Sequence, residues 1–390
     1  MISCLHQKGN LSYKNSDPVI RLDHPNPTAD KPQSKLWFMY DCWWALLPRS
    51  SGPSLWQRTK KGWIEHSEIS ESLKGLPGQT DVWADNTEVT TVGVADHSLT
   101  VFRLMSSVKY CKIPWGTRIL TKLNPPSVND FIETATIAAD GTGRFWVAAV
   151  AGTKVCVWYT LDVYEKWSAP LILAQGIDED DICVITPLIE GVGVIWSDQI
   201  REALLMRTHK DGDPQKIWGE EEIIDMGNKT ADDHLNTSLA PDGTLWIATK
   251  NSVDQVGKPQ FVIRIRSSAG KWINLPYVNR ENTNFPTRPI VIATQDNSLI
   301  MTGYTDSDRS IPFPHSSKII FSIIDTSLST VLDNPKVVIS PDSKHNSFIN
   351  NVTGPRHPFP RNAPWIVLAS DQNGNVYEAN LKDLIFETNN

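Results

Sequence analysis

Residues 240–250 read APDGTLWIATK. Asp242-Gly243 offers the positive φ that a tight hairpin turn requires. The residues after it are apolar, aromatic and β-branched, so they read as a strand leaving that turn. The stretch does not stand alone. Related runs are WWALL from 43, VTTVGVA from 89, RFWVAAV from 144, GVGVIWS from 191, SLIMTGY from 298 and PWIVLAS from 364. Turn signals of the same kind precede two of these, AADGTG at 138–143 and TQDNS at 294–298. A further run follows in six of the units: SLWQR, LTVFRL, KVCVWYT, EALLMRTH, QFVIRIR and KIIFSII. A weaker fourth often carries Trp, as in KKGWIEH, YEKWSAP, PQKIWGE and AGKWINL.

Four short strands recurring seven times, with helical periodicity nearly absent, predict an all-β fold. The expected architecture is a seven-bladed β-propeller with four-stranded antiparallel blades. One blade cannot cover both faces of its own sheet, so neighbouring blades must, and residues 1–390 are expected to form one domain. Blades are expected to start near residues 33, 80, 133, 180, 232, 287 and 349. The last unit lacks a fourth strand of its own, so PVIRLD at 18–23 is expected to supply it and close the ring. Residues 1–15 read as a flexible tail. Most of the fifteen tryptophans occupy fixed places in the repeat and are assigned to packing between blades. Trp43 and Trp115 fit that pattern less well and are expected at a substrate-binding rim.

Composition narrows the partners. The formal charge is −7 with mixed signs, which argues against nucleic acid or an anionic membrane, since both select a basic face. No stretch approaches the ~18 apolar residues of a membrane span, and no secretion signal is visible. The cysteines, Cys4, Cys42, Cys111, Cys156 and Cys183, are odd in number and lack metal-binding spacing. These features predict a cytoplasmic protein without a disulfide framework. Sequons occur at Asn10, Asn228, Asn236 and Asn351.

The ordered segments PQSKLWF…WWALL, QTDVW, IETATIA…RFWVA, DEDDICVI…GVIWSDQ, THKDGD, ADDHLN…DGTLWIATK, TRPIVI, INN and IVLASD resemble an uncharacterised propeller family described as BNR-repeat or sialidase-like. The resemblance spans residues ~31 to 380. It implies the propeller fold and glycans as ligands. A sialidase would carry three arginines, a tyrosine nucleophile and repeated Ser-x-Asp-x-Gly-x-x-Trp boxes. Here APDGTLW keeps Asp242, Gly243 and Trp246 without that spacing, and only Arg288 stands in a comparable inner position. Sialidase activity is therefore not expected.

In a propeller the first strand of each blade lines the channel, and its opening residues ring one mouth. Those openings include Lys35, Asp81, Glu133, Asp181, Asp233, His234, Arg288 and Asn350. Such a column either bonds the backbone of the next blade or converges on a ligand, because many ionisable groups around one funnel are costly unless paired or used. His234, between acidic neighbours, is a candidate acid or hydrogen-bond donor. Arg288 can clamp a carboxylate or polarise a carbonyl. Glu133 and Asp181 are candidate catalytic carboxylates; Lys35, Asp81, Asp233 and Asn350 are candidate substrate-binding residues. No metal ligand is assigned. An oxygen-rich ring suits Ca²⁺, which takes roughly six to eight oxygens, but no Asp-x-Asp-x-Asp loop is present.

The leading expectation is an intracellular, cofactor-independent enzyme acting on a small, largely apolar molecule in the funnel. Its general architecture resembles propellers of fungal natural-product pathways that catalyse hetero-Diels–Alder cycloadditions. Such a reaction needs positioning and a donor to the developing charge, and no cofactor. The alternatives are a glycan-binding or glycan-cleaving propeller of the lyase type and a protein-interaction scaffold. An apolar cavity under Trp and Phe would favour the first, a shallow groove with exposed aromatics the second, and a filled channel the third.

Overall fold

A computed structural model describes residues 16–85, 88–106, 115–162, 166–230, 232–282, 284–310, 312–314, 316–326, 330–331, 335–341 and 347–382. Residues 1–15, read as a tail, lie outside the described residues. The described strands form seven antiparallel sheets, and in six of them the strands follow chain order from the first strand outward. Those first strands are Leu36–Met39, Thr80–Asp85, Ala135–Ala139, Cys183–Leu188, Leu235–Leu239, Thr287–Ala293 and Ile349–Thr353, in blades I to VII. This is the seven-bladed propeller, almost entirely β, with a short helix at Ser67–Ser72. Blade VI departs from the pattern, because two short strands, Thr330–Val331 and Lys336–Ile339, both pair with its third strand, Ser316–Asp325.

The ring is closed by the amino-terminal strand. Ile20–Arg21 pairs antiparallel with Asn375–Asn380 and becomes the outer strand of blade VII. Ile20 is 4% exposed and joins the core shared by blades VI, VII and I. The chain's opposite end thus gives blade VII its fourth strand.

Tryptophans fill the spaces between sheets, as the repeat suggests. Trp37, Trp43, Trp44, Trp146, Trp158, Trp196 and Trp365 are fully buried or nearly so. Trp43 donates from Nε1 to the Pro364 carbonyl at 2.8 Å and packs edge-on against Phe38 and Phe359. Trp115 packs edge-on against Trp44 and is 6% exposed. The expected rim role of both residues is therefore corrected. Their rings are consumed by packing within and between blades and offer a substrate no surface.

A second correction concerns the cysteines. Cys156 and Cys183 are free and buried, as their apolar runs suggest, but Cys42 is disulfide-bonded. Its partner lies outside the described residues. Sequence spacing could not reveal the bond, because the bond depends on which strands the fold brings together. No helix among the described residues is long and apolar enough to cross a membrane.

Candidate functional site

The closing strand decides what occupies the axis. Ile20–Arg21 is the outermost strand of blade VII, whereas Leu36–Met39 is the innermost strand of blade I. The chain between them must cross the mouth from perimeter to centre. Thr28 bonds Ser370 and the Asn351 carbonyl of blade VII. Lys31 meets Asp233 of blade V and lies 3.4 Å from Glu133 of blade III. Gln33 donates to the Ala135 carbonyl at 3.1 Å. A second segment enters between the first two strands of blade VII. There Arg356 donates to the Ile137 and Pro32 carbonyls and to Asp81. The channel is thus largely filled by protein. A cavity of about 20 Å³ remains, lined by Asp30, Lys31, Gln33, His234, Arg288 and Asn351 among others. That is room for little more than one water or one polar head group.

Several expected ring residues prove to be framework. Asp81 is fully buried and accepts from Ser34 N at 2.7 Å, Ile137 N at 2.8 Å and Arg356 Nη2 at 2.9 Å. It therefore ties blade I, blade III and the inserted segment together. Thr136 Oγ1 accepts from Ile185 N and Asn236 Oδ1 from Val291 N in the same blade-to-blade fashion. Burial raises the Asp81 pKa, opposed by Arg356 and the two backbone donors. Asp181 accepts from Asp178 N and Gln199 N and pins two loops; burial raises its pKa as well. Lys35 is buried, donates to Gln33 Oε1 at 2.6 Å and to the Thr80 carbonyl, and burial lowers its pKa to about 7. The substrate-binding roles expected for Asp81 and Lys35, and the catalytic role expected for Asp181, have no free polar group to act through. Glu133 and Asp233 do face the mouth, but Lys31 is their counter-ion.

His234 and Arg288 remain together on the cavity. His234 Nδ1 lies 2.5 Å from Asp232 Oδ1, and Asp233 Oδ1 lies at the same distance. The Asp232 carboxylate is held further by Lys250 Nζ at 2.9 Å and Ser252 Oγ at 2.8 Å. Burial pushes the His234 pKa down to about 3, against the pull of Asp232. Asp232 itself is held below the carboxylate range by His234 and Lys250, despite its burial. Burial thus favours the neutral imidazole, and its Nδ1–H faces carboxylate oxygens that can only accept. Its Nε2 lies 3.1 Å from Thr287 Oγ1 of the next blade.

Arg288 adopts φ 55°, in the left-handed region, where the first strand of blade VI shifts register between Thr287 and Ile290. The bulge re-aims its side chain. The guanidinium donates from Nη1 to Thr287 Oγ1 at 3.3 Å, and Nε has no hydrogen-bond partner. Among the described residues it makes no ion pair, although burial lowers its pKa and Asp30, Glu133 and Asp232 oppose that from a distance. Blade VII repeats the device. Its first strand shifts register between Asn350 and Val352, and Asn351 has φ 62°. Asn351, not the expected Asn350, lines the cavity. The amide oxygens of both are unpartnered.

Sequence reasoning missed Lys31, Gln33 and Arg356, and it did not join Thr287 to His234. The crossing of residues 22–35 over the mouth was implicit in the proposed closure, because an outer strand cannot join an inner one by any other face. Arg356 carried no such signal. As for cations, Asp232, Asp233 and His234 place ligand atoms within 4.8 Å of one another. The ammonium groups of Lys31 and Lys250 already meet both carboxylates and supply the charge a metal would bring.

No protein-family model matches this chain, and no curated protein does. Solved structures similar to it include the WD40 domain of SCAP from fission yeast, 10% identical over 93% of this chain and 96% of that one, with TM-score 0.48. The α-L-arabinanase of Penicillium chrysogenum is 11% identical over 75% and 92%, with TM-score 0.46. The sialidase of Trypanosoma rangeli is 7% identical over 79% and 58%, with TM-score 0.46. At such identities and scores no role is carried from them to this chain.

Proposed function

We propose that the mouth is the site of a cofactor-independent enzyme whose small-molecule substrate presents a carboxylate or carbonyl oxygen to Arg288. The observation that carries this reading is the half-buried guanidinium of Arg288 on the cavity, which makes no ion pair among the described residues and leaves Nε without a hydrogen-bond partner. A half-buried charge without a counter-ion in contact is costly, and an anionic or strongly polarised oxygen lowers that cost. His234 shares Thr287 Oγ1 with that guanidinium and so stands beside it. The small cavity admits the oxygen-bearing head, and the rest of the substrate lies across the mouth.

This geometry changes the expected substrate. A hydrocarbon held by an aromatic rim fits poorly, because Trp43 and Trp115 are buried elsewhere. The hetero-Diels–Alder variant keeps Arg288 as a donor but loses that wall. Recognition through oxygen atoms is the better reading. The filled channel favours a second reading, a binding module in which Arg288 receives an acidic group of a partner. The disulfide at Cys42 supports an oxidising compartment in place of the cytoplasm.

Acetate tests the site. Saturation-transfer NMR is expected to show acetate bound to the wild-type chain and lost in Arg288→Gln. Equal binding by both proteins, or none by the wild type, refutes the proposal.

A further inference from the structure

We infer that Asp232, His234 and Thr287 form a nucleophilic relay, with Thr287 Oγ1 accepting the acyl group of a small ester at the mouth. The inference rests on the reading of Arg288 above and names the reaction class.

The geometry runs in one line across the junction of blades V and VI. Asp232 Oδ1 is 2.5 Å from His234 Nδ1, and His234 Nε2 is 3.1 Å from Thr287 Oγ1. With Nδ1–H donating to the carboxylate, Nε2 of the neutral ring carries a lone pair, so the Thr287 hydroxyl donates to it. Lys250 and Ser252 fix the carboxylate that orients the ring. This is the nucleophile, base and orienting acid arrangement that recurs on unrelated folds. Arg288 Nη1 donates to the same Thr287 oxygen, which favours negative charge there as the proton leaves. Its Nε–H is buried and has no hydrogen-bond partner.

The competing explanation is a threonine that merely joins two blades. Thr136 plays that part, but it does so by accepting from the backbone N–H of Ile185. The Thr287 hydroxyl is instead committed to an imidazole and a guanidinium, the two groups that the framework does not otherwise use.

The reaction balances without a cofactor. Thr287 Oγ1 attacks the ester carbonyl carbon while its proton passes to His234 Nε2. The bond from that carbon to the alcohol oxygen breaks, and His234 returns the proton to the departing alcohol. Water then attacks the acyl-threonine, giving its proton to His234. The acyl–Oγ1 bond breaks, Thr287 regains a proton from His234, and the carboxylic acid leaves through contacts with Arg288.

The full chain is treated with p-nitrophenyl acetate and, separately, with a fluorophosphonate probe followed by peptide mass analysis. Hydrolysis is expected, with the probe on Thr287. Thr287→Val, nearly isosteric and checked for folding by thermal unfolding, is expected to lose both, by about 10³-fold in rate. Thr287→Ser is expected to restore both. Labelling at another residue, unchanged hydrolysis by a folded Thr287→Val, or no hydrolysis and no labelling in the wild type overturns the relay. Acetate binding separates the two proposals. If acetate still requires Arg288, only the relay has failed; if it does not, the reading of the mouth has failed too.

Discussion

Replacing Asp81 by alanine separates framework from ligand site. Asp81 is completely buried and holds three donors, Ser34 N, Ile137 N and Arg356 Nη2. Asp81→Ala leaves the Arg356 guanidinium, 7% exposed, without its counter-ion. Breaking a buried ion pair from one side costs about 3–5 kcal/mol. Each of the two orphaned backbone donors adds about 1–3 kcal/mol. Arg356 keeps its two carbonyl acceptors and local relaxation recovers part of the loss, so we expect about 5 kcal/mol in total. That is a large share of the stability of a typical domain, about 5–15 kcal/mol. Urea unfolding followed by tryptophan fluorescence measures it. Asp81→Ala/Arg356→Leu should be less destabilised than the sum of the single variants, by about 1–3 kcal/mol, because the stranded charge is gone. A loss below 1 kcal/mol, or additive single variants, would refute the framework role. So would acetate binding that vanishes while stability is unchanged.

Two further outcomes follow from the same structure. His234 and His357 have pKa values lowered by burial, to about 3 and about 4, from an ordinary 6.5. The unfolded chain therefore takes up protons at pH 5–6.5 that the folded chain refuses. Stability should fall as pH drops through that window, by up to about 1.4 kcal/mol per pH unit for each histidine. Urea unfolding at pH 7, 6 and 5 checks this, and His357→Phe should flatten the slope by about half; an identical slope in the variant would count against it. Reduction of the Cys42 disulfide, or Cys42→Ser, should cost about 2–4 kcal/mol. A melting temperature indifferent to reductant would show the bond to be absent.

The repeat was legible because propeller blades write their strands locally. Asp242-Gly243 fixes a turn, the run after it fixes a strand, and seven recurrences leave one economical closure. The missing fourth strand of blade VII and the spare PVIRLD segment were a matched pair, and Ile20–Arg21 fills that place. The column of strand openings was also legible as a set of residues. Its division into framework and site was not. Asp81 and Asp233 look alike in sequence, yet one meets backbone donors of two blades and the other meets Lys31. Asn350 and Asn351 exchanged roles because a bulge shifts the register by one residue, and strand patterning is blind to such a shift.

By itself, then, the sequence determined the all-β class, the blade count, the ring closure and the pairing of His234 with an acidic neighbour. These follow from turn chemistry, strand patterning and adjacency along the chain. Only the tertiary structure decided that the channel is filled, that Trp43 and Trp115 are core, that Cys42 is bonded, and that Thr287 and Arg288 meet His234. Each of those facts joins residues far apart in the chain. Their proximity is set by how blades stack around an axis, and no local pattern of residues encodes that distance.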